Sequence, residues 1–333
     1  MLVAGLLALA PSIDDLMGGK GAVGTGAVLY LRISALGLPF ALIALAGQGY
    51  LRGVADLRSP LVVLVLTNAL NVVLELIFVY GLAWGLKGSA WGTVIAQLVM
   101  GAAFVALVLR RTGAESPSPR AMRPLAAVGV HLTGRTAALL GSFVVAAAIV
   151  ARFGKHPLGA HQIASELWGF LALVLDSIAI AGQVLVGRAL GAGEAEEAYA
   201  AARRMIVLST WLGALLGLLL LVAEPLLVPL FTGDPGVREQ ARHIWLVLCL
   251  MQPAAGAVFA LDGILIGAGD TRYLMWAMAA AAAVYVTLAS LALAQHWGLL
   301  GVWIGLAAFV CARLATLLGR FRGRRWVVLG LAS

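Results

Sequence analysis

Residues 60–82 read P-L-V-V-L-V-L-T-N-A-L-N-V-V-L-E-L-I-F-V-Y-G-L, a run in which Glu75 is the one charged residue. About 20 consecutive apolar residues are what a helix needs to cross the hydrocarbon core of a bilayer. Similar blocks fall at 28–50, 89–109, 125–151, 158–187, 205–227, 244–266, 272–294 and 299–319, and a shorter one opens the chain at 1–10 and stops at Pro11. Hydrophobic residues make up 62% of the 333 residues and charged ones 11%. An ordinary soluble domain carries roughly 25% charged residues, so the composition excludes a soluble fold. The pattern predicts an all-α polytopic membrane protein whose surrounding partner is the lipid bilayer.

The flanks of the 60–82 run carry a second message. G-V-A-D-L-R (53–58) precedes it and W-G-L-K-G (84–88) follows it. The first recurs as G-A-G-D-T-R at 267–272, a register that pairs Gly53 with Gly267 and Asp56 with Asp270. The second recurs as W-G-L-L-G at 297–301, pairing Trp84 with Trp297 after a slip of one position. Pro11 and Pro39 match Pro225 and Pro253 in the first register. Similarity among apolar helices does not by itself put D-x-R in one loop and W-G-L-x-G in the next. Two tandem copies of one topology predict two lobes related by an axis along the membrane normal. The expected division is an incomplete N-lobe over 1–110, a cytoplasmic linker over 111–124, a C-lobe over 125–320 and a cytoplasmic tail over 321–333. The C-lobe holds six spans, and its start projected back through the repeat asks for two more spans ahead of Met1. The expectation is an N-terminally truncated chain with about ten of twelve helices.

The net charge of +8 does not point to nucleic acid, because the basic residues sit in short loops between spans. Such loops set orientation by the positive-inside rule. With the 111–124 linker taken as cytoplasmic, fifteen arginines, Arg313 and Arg320 among them, gather on that side against seven basic residues opposite, and the C-terminus is cytoplasmic. Arg135 is left inside a span, as the only basic residue well inside one. Trp84, Trp297 and Trp326 are expected at the membrane rims, where tryptophan anchors helices. Cys249 and Cys311 both lie in apolar spans and support neither a disulfide framework nor a metal site. The sequence has no phosphate loop, zinc-protease motif or nucleophile elbow, so neither an enzyme nor an ATP-driven pump is indicated, and no cofactor is called for.

Ionisable groups inside a span are functional candidates because of what they cost there. Asn68, Asn71 and Glu75 stand at i, i+3 and i+7, on one helix face. Together their oxygens suit a proton or a small cation, and Thr93 and Gln97 on the next helix, with Tyr30 on the helix before, are placed to complete the set. The alternative is a hydrogen-bonded packing cluster. On the 158–187 helix Gln162, Glu166, Asp176 and Gln183 project within about 100° of one another, a stripe that suits a water- or substrate-lined cavity, structural pairing being the alternative. Asp262, beside Gln252 and the Pro253 kink, is a further cavity-lining candidate. Asp56/Arg58 and Asp270/Arg272, in tight loops, are read as caps or ion pairs.

Y-L-R-I-S-A-L-G-L-P-F (30–40), Q-G-Y-L-R-G-V-A-D-L-R-S-P (48–60), N-A-L-N-V-V-L-E (68–75), G-S-A-W-G-T-V-I-A-Q (88–97), A-H-Q-I-A-S-E-L-W (160–168) and L-D-G-I-L-I-G-A-G-D-T-R (261–272) resemble the multidrug and toxic compound extrusion (MATE) family, in particular its DinF-like bacterial branch. The resemblance runs from the family's third helix to its twelfth. It implies a two-lobed MATE-type helical bundle in the bacterial cytoplasmic membrane, acting as a monomer. It implies a secondary antiporter that exports amphipathic or cationic compounds in exchange for H⁺ or Na⁺ by alternating access. Carried over, the family's N-lobe cation site falls on Asn71, Glu75, Tyr30 and Thr93, with Glu where Asp is usual. The site's first-helix acid has no counterpart in this chain. Two other readings stay open: a flippase for lipid-linked precursors, which needs a strongly cationic cavity, and a non-transporting remnant or membrane scaffold.

Overall fold

The computed structural model describes residues 21–112 and 119–327, with Val3, Leu7 and Pro11 as isolated helical positions. The remainder of the 1–10 block, the linker centre at 113–118 and the tail beyond 327 lie outside the described residues. Every described element is helical, as a lipid-embedded chain requires, because no water is present there to satisfy backbone N–H and C=O groups. The chain divides into two compact units, residues 1–116 and 117–333.

In the first unit α1 (Gly21–Gly53), α2 (Arg58–Glu75) and α3 (Leu86–Thr112) pack side by side, with α3 contacting both others. α2 continues without a break into a π-helical turn, Leu76–Gly81. In the second unit α4 (Pro119–Ala151), α5 (Lys155–Gly191), α6 (Ala195–Phe231), α7 (Pro235–Leu250), α8 (Gln252–Gly267), α9 (Thr271–Ala294) and α10 (Gly298–Arg322) follow in order. The linker expected at 111–124 is therefore helical at both described ends. Among the described residues eight helices are long and apolar enough to span a membrane, and α7 with α8 forms a ninth, broken span bent by 51°. The bend sits at Met251, with Pro253 in the first turn of α8, where proline's missing N–H is harmless.

α8 is the hub of the second unit, packing on α5, α6 and α10. Eleven of its sixteen residues are buried. Gly263 and Gly267 lie directly against the backbone carbonyls of Ala179 and Gln183 on α5, and Gly256 against that of Ser209 on α6. Small residues at such crossings are how membrane helices gain contact without a hydrophobic driving force between them.

The repeat persists down to single hydrogen bonds. Asp56 N donates to Leu51 O at 2.9 Å and Asp270 N to Leu265 O at 2.9 Å. Ala55 (φ 59°) and Gly269 (φ 76°) take the same left-handed conformation before each aspartate, and so do Gly85 (φ 53°) and Gly298 (φ 65°) where the next helices start. Each aspartate is clamped from a later helix: Arg111 reaches Asp56 at 2.5 Å, and Arg320 reaches Asp270 at 2.7 Å. Hydrogen bonds from the Ser59 side chain and backbone hold the Asp56 carboxyl below the usual carboxylate range, and Arg111 adds to this.

The one-residue slip between the two registers has a structural cause. Twenty-nine positions separate Asp56 from Gly85, and twenty-eight separate Asp270 from Gly298. α9 is α-helical throughout, whereas the first copy places its additional residue in the π turn after Glu75.

The end of the chain departs from expectation. Trp326 is fully buried, donates its indole N–H to Phe321 O at 3.0 Å and stacks on the Phe321 ring, so it plugs the second unit instead of anchoring in a membrane rim. Trp84 and Trp297 are both exposed, as rim residues are.

Left-handed backbone costs a non-glycine residue roughly 1–2 kcal/mol. Ala55→Gly is therefore expected to raise thermal stability and Gly269→Ala to lower it, each by about 1 kcal/mol. Melting curves of the detergent-solubilised variants check both; equal melting temperatures would mean the two loops relax.

Candidate functional site

The first unit holds a polar pocket of about 250 Å³ between α2 and α3, lined by Thr67, Asn68, Asn71, Thr93 and Gln97 with Leu64, Ala96 and Met100. The i, i+3 spacing on α2 and the i, i+4 spacing on α3 bring these side chains together. Several donors are already engaged: Asn68 Nδ2 donates to Leu64 O at 2.8 Å, Thr67 Oγ1 to Val63 O at 2.8 Å and Thr93 Oγ1 to Ser89 O at 3.1 Å. The acceptors are not. Asn71 Oδ1 and Gln97 Oε1 are buried with no hydrogen-bond partner. A buried polar atom left unsatisfied costs on the order of 1–3 kcal/mol, and an acceptor-rich pocket of this kind favours a cation or a proton donor.

Glu75 stands one turn beyond Asn71, at the junction of α2 with the π turn. Its Oε1 accepts a hydrogen bond from Ser89 Oγ on α3 at 2.9 Å. π turns recur at functional positions in helices. Tyr30 is half-buried on α1 and does not line the pocket.

Two residues belong to this site that the sequence reading passed over. Ser89 sits in the G-S-A-W-G stretch and is named by its bond to Glu75. Gly37 on α1 faces Gln97 so closely that a methyl group there would collide with Gln97 Oε1. A glycine within an apolar helix, opposite a polar residue on a neighbour, was the available signal.

On α5, Gln162 and Glu166 are exposed and joined by a 3.0 Å hydrogen bond, Asp176 is exposed two to three turns further on, and Gln183 is half-buried. They keep the common face expected of them. Asp262 is placed differently from the cavity-lining expectation. Its carboxylate is 6% exposed in the core of the second unit, where Oδ2 accepts from Arg135 on α4 at 2.7 Å and from Arg313 on α10. Arg313 is therefore not a cytoplasmic loop residue: its side chain is 7% exposed, inside the last span, and Arg135 is not alone. Arg313 lies within the 299–319 apolar block itself, and its guanidinium turns inward to meet Asp262. Asp262 Oδ1 and Arg135 Nε remain unpartnered. Among the described residues no three of His, Cys, Asp and Glu cluster to hold a metal ion.

These features define a polytopic, all-helical membrane protein built from a repeated unit, with a small number of polar groups inside its spans. The chain belongs to the MatE family, whose profile matches residues 1–77 and 132–291. It is 33% identical over 290 residues to the chloroplastic protein DETOXIFICATION 44 of Arabidopsis thaliana, covering 86% of this chain and 55% of that protein. It is 29% identical over 330 residues to DNA damage-inducible protein F of Escherichia coli (strain K12), covering 95% and 71% respectively. The chain spans about half the length of the Arabidopsis relatives it matches. The fold superposes with a TM-score of 0.88 on a crystal structure of MATE in complex with MaL6, at 20% identity over 97% of this chain and 76% of that one. A multidrug resistance MATE family transporter in the outward-facing conformation gives a TM-score of 0.86, at 20% identity over the same shares.

Removing the Asp262 charge leaves two guanidiniums facing each other in a low dielectric. Asp262→Asn is expected to destabilise the second unit by about 3–5 kcal/mol, and Asp262→Asn combined with Arg313→Met to recover part of the loss. Thermal unfolding in detergent reads this; unchanged stability in Asp262→Asn would mean that the carboxylate is free to serve another role.

Proposed function

We propose that this chain forms the body of a secondary antiporter of the bacterial cytoplasmic membrane. It exports amphipathic or cationic compounds by alternating access in exchange for H⁺ or Na⁺. The coupling cation binds in the first unit, at Asn68, Asn71, Thr93 and Glu75. The face of α5 bearing Gln162, Glu166, Asp176 and Gln183 lines the substrate path. The chain acts as a monomer with its C-terminus in the cytoplasm.

The observation that carries this reading is an asymmetry between the repeats. In the register that pairs Asp56 with Asp270, Asn68, Asn71 and Glu75 correspond to Ala282, Tyr285 and Ala289. In the register that pairs Trp84 with Trp297, Ser89, Thr93 and Gln97 correspond to Val302, Leu306 and Val310. All six counterparts are buried core residues. The scaffold packs without amides or carboxylates at these positions, so the first unit carries them for a reason other than packing. A carboxylate that gains and loses a proton in poorly hydrated surroundings changes the local charge by one unit, and such a change biases one conformation over another. Asn71 Oδ1 and Gln97 Oε1 supply the vacant acceptors a small cation needs.

The flippase reading is weaker on the same grounds. The two span arginines share one carboxylate, so their charge is partly spent before any pyrophosphate could meet it.

The test is transport in proteoliposomes holding this chain and, separately, a form extended by its upstream reading frame. An imposed pH gradient is expected to drive ethidium against its own gradient, and Glu75→Gln to abolish that movement. Ser89→Ala is expected to slow transport while retaining part of it, because the carboxylate survives without its donor. Movement driven by a Na⁺ gradient alone would select Na⁺ as the coupling ion. Unimpaired transport by Glu75→Gln would remove the site from the mechanism.

A further inference from the structure

α6 is 37 residues long, about 55 Å at 1.5 Å per residue, against a hydrocarbon core of about 30 Å. The excess falls at its N-terminal end. From Trp211 to Phe231 the helix has one charged residue, Glu224, and its outer side is a run of exposed apolar side chains, Trp211, Leu215, Leu218, Leu219 and Val222. That stripe meets lipid. Arg203 and Arg204 lie two turns before it, at roughly the level of the lipid headgroups, and both are exposed.

At this level the surface of α6 carries a groove of about 710 Å³ bounded by Glu196, Tyr199, Arg203, Arg204, Val207 and Leu208. Its charges are not balanced within the groove. Glu196 is taken by Arg324, which reaches Oε1 at 2.6 Å and Oε2 at 3.4 Å. The same guanidinium lies 4.3 Å from the centre of the Tyr199 ring, and Tyr199 in turn stacks on Phe321. Glu197, close to Glu194 at the start of the helix, raises the Glu194 carboxyl above its usual range. Arg203 and Arg204 take part in none of the ion pairs of the described residues. The groove thus has a fixed aromatic wall, an apolar floor formed by Val207 and Leu208 that continues into the lipid-facing stripe, and two uncommitted guanidiniums side by side.

We infer that this groove is a binding site for an anionic phospholipid of the adjoining leaflet. The phosphate lies between Arg203 and Arg204, and one acyl chain follows Val207, Leu208 and Trp211 down the helix. Guanidinium pairs bind phosphate oxygens in a fixed fork geometry. The continuous apolar floor selects a lipid over a soluble phosphate, which has no use for it. Arg324 acts as the positioning residue: by neutralising Glu196 it keeps a carboxylate from repelling the phosphate, and it ties the turn after α10 to the lipid site.

The experiment is native mass spectrometry of the intact chain in detergent, titrated with phosphatidylglycerol, with phosphatidylcholine of the same acyl chains, and with inorganic phosphate. Phosphatidylglycerol adducts are expected to dominate, and the Arg203→Gln/Arg204→Gln variant to lower its affinity roughly tenfold or more, at about 1 kcal/mol per arginine. Arg152→Gln/Lys155→Gln, two exposed cations away from the groove, is the control and is expected to change nothing. Melting curves confirm that both variants fold. Equal binding of the two lipids, an equal loss in the control, or saturation by inorganic phosphate without lipid would each overturn the assignment.

Discussion

The second unit depends on how closely other helices can approach α8. Between helices in lipid there is no hydrophobic driving force, and association rests on packing and polar pairing. α8 supplies both. Its glycines admit the carbonyl edges of α5 and α6, and its one carboxylate, Asp262, draws in a guanidinium from each of two further helices. α4 packs its backbone on α9, not on α8, and reaches the hub through Arg135. A buried ion pair contributes little net stability over an apolar replacement, yet its disruption strands a charge. The arrangement therefore acts less as glue than as a register mark: only one rotation of α4 and of α10 satisfies both guanidiniums.

The first unit answers a different constraint. Its helix α2 must pass the same two loop landmarks as α9 while holding one more residue. A uniform α-helix would absorb that residue by rotating everything beyond it through about 100°, turning the following loop away from its partner. The π turn after Glu75 takes up the addition locally, so Gly85 meets α3 in the conformation that Gly298 uses at the start of α10. The consequence falls on the residue at the junction. Glu75 is the last residue before the widened turn, and it is there that a hydrogen bond from α3 finds it.

What the sequence made legible was what the backbone repeats. Span positions follow from the length of apolar runs, and the tandem copy followed from D-x-R and W-G-L-x-G because those loops need specific φ angles and caps wherever they occur. The common face of Asn68, Asn71 and Glu75 on α2, and that of Thr93 and Gln97 on α3, were legible because helical spacing alone fixes each. Partnership was not. Arg313 counts toward the cytoplasmic side by its place near the end of the 299–319 block, because nothing within its own helix shows that Asp262 on α8 draws it inward. Trp326 read as a rim anchor because nothing local announces that Phe321 and Tyr199 form a stack for it to complete. Ser89 and Gly37 are defined by what lies opposite them, which no spacing within their own helices encodes.

The same correspondence that relates the two units also separates their polar groups. The position of Asp262 is held in the first unit by Gln48, and that of Arg313 by Met100, in the two registers of the repeat. Gln48 is buried like its counterpart, but as a neutral amide beside Arg52. The charged cluster is thus confined to one copy and the acceptor-rich pocket to the other, at different positions of one scaffold. Duplication supplies two identical frames, and each buried polar group adds a cost that the frame alone does not require. A fold under pressure only to pack would lose such groups from both copies. Here each copy carries a different set, one that fixes helix register around a hub and one that leaves the buried acceptors Asn71 Oδ1 and Gln97 Oε1 without partners.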